Sequence, residues 1–65
     1  MIRNTETPVT VEVKDGNNIV QVKLAGLSTD SKPTAGIATG SSFLEVNTGK
    51  IFLFDEVGET WTEVA

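Results

Sequence analysis

The stretch Gly40-Ser41-Ser42-Phe43-Leu44-Glu45-Val46-Asn47-Thr48-Gly49-Lys50-Ile51-Phe52-Leu53-Phe54-Asp55, closed by Trp61, holds every aromatic residue of the chain. Its large apolar side chains recur with a period of two, the spacing of strands whose side chains point alternately to opposite faces. The alternation breaks at Asn47-Thr48-Gly49-Lys50, where Gly49 can adopt the positive φ of a tight hairpin turn. With Thr48-Gly49 as a two-residue loop, Val46 opposes Ile51, Leu44 opposes Leu53, Glu45 opposes Phe52 and Phe43 opposes Phe54. Carrying the meander through Asp55 to Thr60 sets Trp61 against Phe54. One face then collects Phe43, Phe52, Phe54 and Trp61, and the other Leu44, Val46, Ile51, Leu53 and Val64. A three-residue loop, Asn47-Thr48-Gly49, would scramble these faces through a bulge. A sheet apolar on both sides needs two covers, and the rest of the chain offers one in its first hairpin.

That hairpin lies upstream. Val9, Val11 and Val13 alternate with Thr10, Glu12 and Lys14, and Val20, Val22 and Leu24 alternate with Gln21 and Lys23. Two turns compete between the runs. A Gly16-Asn17 loop pairs Val13 with Val20, Val11 with Val22 and Val9 with Leu24, whereas an Asp15-Gly16 loop sets Val13 against Asn18 and Glu12 against Ile19. Apolar patterning favours Gly16-Asn17, although Asp-Gly is itself a strong turn signal. Between the hairpin and the meander, Ala25 to Ser42 is rich in Ser, Thr and Gly, contains Pro33 and has no helical periodicity. Ile37 is its expected anchor. The reading is a single all-β domain: a hairpin over 9–24, an extended irregular connection over 25–42 and a three-stranded meander over 42–64, arranged as a small antiparallel sheet or open barrel.

Length and composition narrow the function classes. A chain of 65 residues builds a core worth only about 3–5 kcal/mol. The usual supplements are disulfides, a structural metal or association. With no Cys and no His, disulfides and the common zinc ligands are unavailable, which leaves association. No secretory signal and no apolar run of membrane-spanning length is present. The expectation is a soluble protein made in the cytoplasm. Arg3, Lys14, Lys23 and Lys32 balance Glu6, Glu12, Asp15 and Asp30, so the net charge of −4 sits in the aromatic half, where Lys50 faces Glu45, Asp55, Glu56, Glu59 and Glu63. An acidic half and scattered cations disfavour a nucleic-acid partner.

Chemistry finds few footholds. Nucleophilic catalysis needs a Ser, Cys, Thr or Lys beside a base, and without His or Cys an enzyme is the poorest reading. Glu45 and Glu63 flank Phe52 and form the one carboxylate pair placed for acid–base work, but polar residues at the rim of an apolar face explain them better. Asp55, Glu56 and Glu59 lack the spacing and ligand number of a calcium loop. Gly36 to Ser42 lacks the Lys-Ser/Thr ending of a phosphate loop. The expectation is no cofactor and no metal. The four aromatic residues, with Trp61 most open, are also the parts of a platform for stacking sugar rings.

At these residues the chain resembles short structural proteins and fibre segments of tailed bacteriophages. The shared pattern is Gly40-Ser41, Phe43-Leu44-Glu45, Asn47-Thr48-Gly49-Lys50, Phe52-Leu53-Phe54-Asp55 and a final Trp61, preceded by Lys32-Pro33-Thr34-Ala35-Gly36-Ile37; it spans residues 32–64. Asn47 stands where the pattern has Asp, and the turn from Asp55 to Thr60 is longer than the pattern's. The resemblance implies a virion part, such as a capsid decoration, head-fibre or tail-associated subunit, that binds other virion proteins and forms a homo-oligomer such as a trimer. Phe43, Phe52, Phe54, Trp61, Leu44, Leu53 and Ile37 would then form core or interface, with Gly16, Asn17, Thr48 and Gly49 defining the turns. Two other classes remain open: a small acidic phage protein that blocks a host factor, and a carbohydrate-binding module.

Overall fold

A computed structural model describes residues 1–65. The chain is all β, in seven strands: β1 (Arg3–Asn4), β2 (Val9–Lys14), β3 (Asn17–Gln21), β4 (Lys23–Gly26), β5 (Ser42–Glu45), β6 (Lys50–Asp55) and β7 (Thr60–Glu63). Five form one open sheet in the order β1-β4-β5-β6-β7, while β2 and β3 form a separate ribbon. The C-terminal strands make the three-stranded antiparallel meander, with Phe54 opposite Trp61. The sheet as a whole is mixed rather than antiparallel, because β4 and β5 run parallel, Leu24 beside Phe43 and Ala25 beside Leu44.

Parallel pairing explains the long connection. Two parallel neighbours cannot be joined by a tight turn and need a crossover of about a dozen residues or more. Residues 27–41 supply it without a helix. They fold across the aromatic face of the sheet and become its cover. Ile37 joins Val22, Leu24, Phe43 and Phe54 in the buried cluster, with Ile2, Val20, Phe52 and Trp61 packed around it. Of the ribbon, Val20 alone reaches this cluster. The ribbon's strands pair only with each other, apart from a bridge between Val20 and Ile37.

That isolation decides the ribbon's register. Asp15 and Gly16 form the turn, with φ of 52° and 79°, the doubly positive geometry that matches the twist of a two-residue hairpin. Asn17 is therefore the first residue of β3 rather than a turn residue. Val13 faces Asn18, Glu12 faces Ile19, and a bulge at Val11 shifts the register so that Thr10 meets Val20. Apolar pairing selects register only where one face is buried. Here all six residues of β2 are exposed, so turn chemistry prevails over the valine alternation.

The second turn also differs from the two-residue loop. Val46 to Gly49 form a four-residue loop in which the Glu45 carbonyl accepts from the N–H groups of Thr48 (3.3 Å) and Gly49 (2.8 Å). Phe43 consequently pairs with Phe52 and Leu44 with Ile51. The displacement is two residues, an even number, so each side chain stays on its expected face.

Two features that sequence periodicity does not display close the core. The first is β1, which pairs Arg3 with Ala25 and Asn4 with Leu24 at the sheet edge and so brings Ile2 onto the cluster. The second is Gly26, where a β-carbon would lie 2.9 Å from the Phe43 ring and 2.9 Å from Asp30 Oδ2. Phe43 is fully buried and cannot withdraw. We expect Gly26→Ala to lower stability by about 1–3 kcal/mol in urea denaturation, the usual cost of overpacking a tight site.

Candidate functional site

The two faces of the five-stranded sheet have opposite fates. On the aromatic face, Phe43 is fully buried and Phe54 is 3 % exposed, while Phe52 and Trp61 are half-buried. The Trp61 ring meets Phe43 edge-on at 6.0 Å and Phe54 at 5.0 Å between centroids. Its indole N–H donates to the Pro33 carbonyl at 2.8 Å, which ties the connection to β7. The rings are thus packed beneath the connection instead of being presented as a stacking platform.

Lys32 is the centre of this closure. Its Nζ lies 4.7 Å from the Phe43 ring centroid and 4.6 Å from that of Phe52, within the range of cation–π attraction. It also donates to Glu45 Oε2 at 2.7 Å. Thr48 Oγ1 donates to the other carboxylate oxygen of Glu45, also at 2.7 Å. These two bonds, that of Lys32 first, hold the Glu45 carboxyl below its ordinary range in spite of partial desolvation. One cation therefore bridges the connection, two strands and the hairpin turn. Nearby, the Asn47 amide donates to Ser28 Oγ at 2.9 Å and accepts the Ser28 N–H at 3.0 Å. Ser41, fully buried, accepts the Val22 N–H at 3.0 Å, at the point where the chain leaves β3 and enters β4.

Other charged groups are placed for structure. Asp30 accepts the Leu27 N–H at 2.8 Å and the N-terminal ammonium at 3.1 Å, which lowers its pKa in that order of importance. Glu63 pairs with Lys50 at 3.5 Å, so neither member of the Glu45/Glu63 pair is a free base. Asp55 accepts the Val57 N–H and Glu56 the Thr39 N–H; with Glu59 they do not converge on a common point.

The opposite face is open. Leu44, Val46, Ile51, Leu53 and Val64 are 39, 60, 37, 40 and 55 % exposed. Register makes them contiguous, since Leu44 lies beside Ile51 and Val64 donates its N–H to the Ile51 carbonyl. Ala25 extends the row on β4. This continuous aliphatic surface is the candidate functional site. Comparisons with known protein families, curated sequences and solved structures match nothing to this chain.

Spacing within strands placed the side chains on their two faces, but Lys32, Ser41 and Arg3 carried no periodic signal. Because the Glu45 carboxyl titrates below its unfolded-state value of 4.5, its contribution to stability is fully present above that pH and is lost as pH falls through the folded-state value. We expect Glu45→Gln to flatten this acid limb in thermal melts taken from pH 7 down to pH ~2.5, leaving a residual slope from Asp30.

Proposed function

We propose that this chain is a structural subunit of a tailed-bacteriophage virion, a capsid decoration, head-fibre or tail-associated part. It is made in the host cytoplasm and assembles by docking the open aliphatic face of its sheet on copies of itself and on neighbouring virion proteins. The observation that carries the reading is that face. Large contiguous apolar patches are rare on monomeric proteins and mark contact surfaces. The chain has a second reason to associate, because only five apolar side chains form its buried cluster, and cores of this size are marginal alone. The resemblance of residues 32–64 to phage structural proteins supports the virion setting, and a homo-oligomer such as a trimer satisfies the surface.

The acidic turn between β6 and β7 favours one rival, a small phage protein that blocks a host factor through Asp55, Glu56 and Glu59. The two readings part in solution. Light scattering over a dilution series should give a discrete mass that is a multiple of 6.9 kDa for the wild type. Ile51→Lys combined with Leu53→Lys should give a monomer with its β circular dichroism retained, since both side chains already reach solvent. A well-folded wild-type monomer at every concentration would overturn the assembly reading and leave the host-factor binder. Peptide mass spectrometry of purified particles should detect the chain in the virion.

A further inference from the structure

The two ends of the sheet carry opposite chemistry. Strand register aligns Gly26, Glu45 and Lys50 at one end and Asp55 and Thr60 at the other. At the first end lies a groove of about 320 Å³ lined by Met1, Arg3, Ala25, Gly26, Leu27 and Val46. Its side-chain cation, Arg3, takes part in none of the four ion pairs of the molecule. Through Ala25 and Val46 the groove continues the open aliphatic face. At the far end, Val57 stands 96 % exposed at the tip of the β6–β7 turn. Asp55, Glu56 and Glu59 surround it, and none of them is ion-paired.

The tip is rigid. The Val57 N–H donates to Asp55 Oδ1 at 3.0 Å, the Glu56 N–H donates to Thr39 Oγ1 at 2.9 Å, Glu56 Oε1 accepts the Thr39 N–H at 2.8 Å, and Thr60 Oγ1 donates to the Gly58 carbonyl at 2.8 Å. These bonds hold a branched apolar side chain out in water, where it gains nothing from burial. It cannot reach the groove of its own chain, because the length of β6, six residues or roughly 20 Å, separates the two ends.

We propose that a second copy of this chain seats its Val57 turn in the groove beside Arg3, so that copies join head to tail. The apolar tip meets apolar walls, and its anionic flanks meet the unpaired Arg3. Complementary charge of this kind sets orientation and on-rate and is weakened by salt. A head-to-tail contact is heterologous: it closes into a ring when the rotation between copies divides the circle, a trimer being one case, and otherwise extends into a filament. The inference rests on the reading of the chain as an assembly subunit and adds a tip-to-groove contact to the open aliphatic face.

The test uses the full chain, with Val57→Asp blocking the tip and Arg3→Glu blocking the groove. Both side chains are exposed, so circular dichroism should be unchanged. Sedimentation velocity should show each variant associating about tenfold or more weakly than the wild type. An equimolar mixture should recover a one-to-one contact between unlike copies at near wild-type strength, because the intact groove of one variant meets the intact tip of the other. Undiminished association of both variants, with the Ile51→Lys/Leu53→Lys protein monomeric, would overturn the head-to-tail contact and leave the assembly reading standing. Weakening of both without recovery on mixing would overturn it as well, in favour of a symmetric contact. A folded wild-type monomer would overturn both.

Discussion

Parallel pairing of β4 with β5 is the constraint on which the rest of the structure depends. Antiparallel neighbours can be joined by two residues, but a parallel pair obliges the chain to travel the length of the sheet and return. Residues 27–41 make that journey, and since they lie on the aromatic side, the crossover and the cover of the core are the same segment. Its attachments follow in order along the chain. Asp30 closes its first turn on Leu27, Lys32 plugs the space between Phe43, Phe52 and Glu45, the Pro33 carbonyl receives Trp61, Ile37 fills the cluster, and Ser41 anchors the return.

A cover drawn from the same chain can serve only one side of a sheet this small. The aliphatic side keeps its exposure because none of the remaining elements lies on it: β2 and β3 pair with each other and meet the connection through Val20, and β1 is a two-residue edge strand. Hydrophobic burial is then incomplete within the monomer, and the remaining apolar area is a driving force for association. The uneven charge adds direction. Asp55, Glu56 and Glu59 lie at the end opposite Arg3, so the two ends of the sheet differ in charge.

Much of the sheet's facing was legible before any coordinates. Phe43, Phe52, Phe54 and Trp61 share a face because side chains alternate along a strand whatever the loop, provided loop length changes by an even number; the four-residue turn at Val46–Gly49 moved the pairing by two and left each side chain on its side. The ribbon was misread for a related reason. Alternating valines argue for a register only if something rewards their burial, and β2 packs on nothing, so the positive φ at Asp15 and Gly16 set the pairing instead. The contacts that close the aromatic side were illegible. Lys32 reads as one more surface cation, and Gly26 as one more loop glycine, until the fold brings both against Phe43.

By itself the sequence determined the all-β class, the meander with Phe54 against Trp61, and the partition of its side chains into an aromatic and an aliphatic face, because these follow from local periodicity and turn chemistry. Tertiary structure alone decided that β4 and β5 run parallel, that the connection rather than the hairpin covers the aromatic rings, and that the aliphatic face stays open. Those outcomes depend on contacts between residues far apart in the chain, where sterics at Gly26, the ion pair of Lys32 with Glu45 and the docking of Trp61 on Pro33 select one packing among several that the same alternating pattern permits.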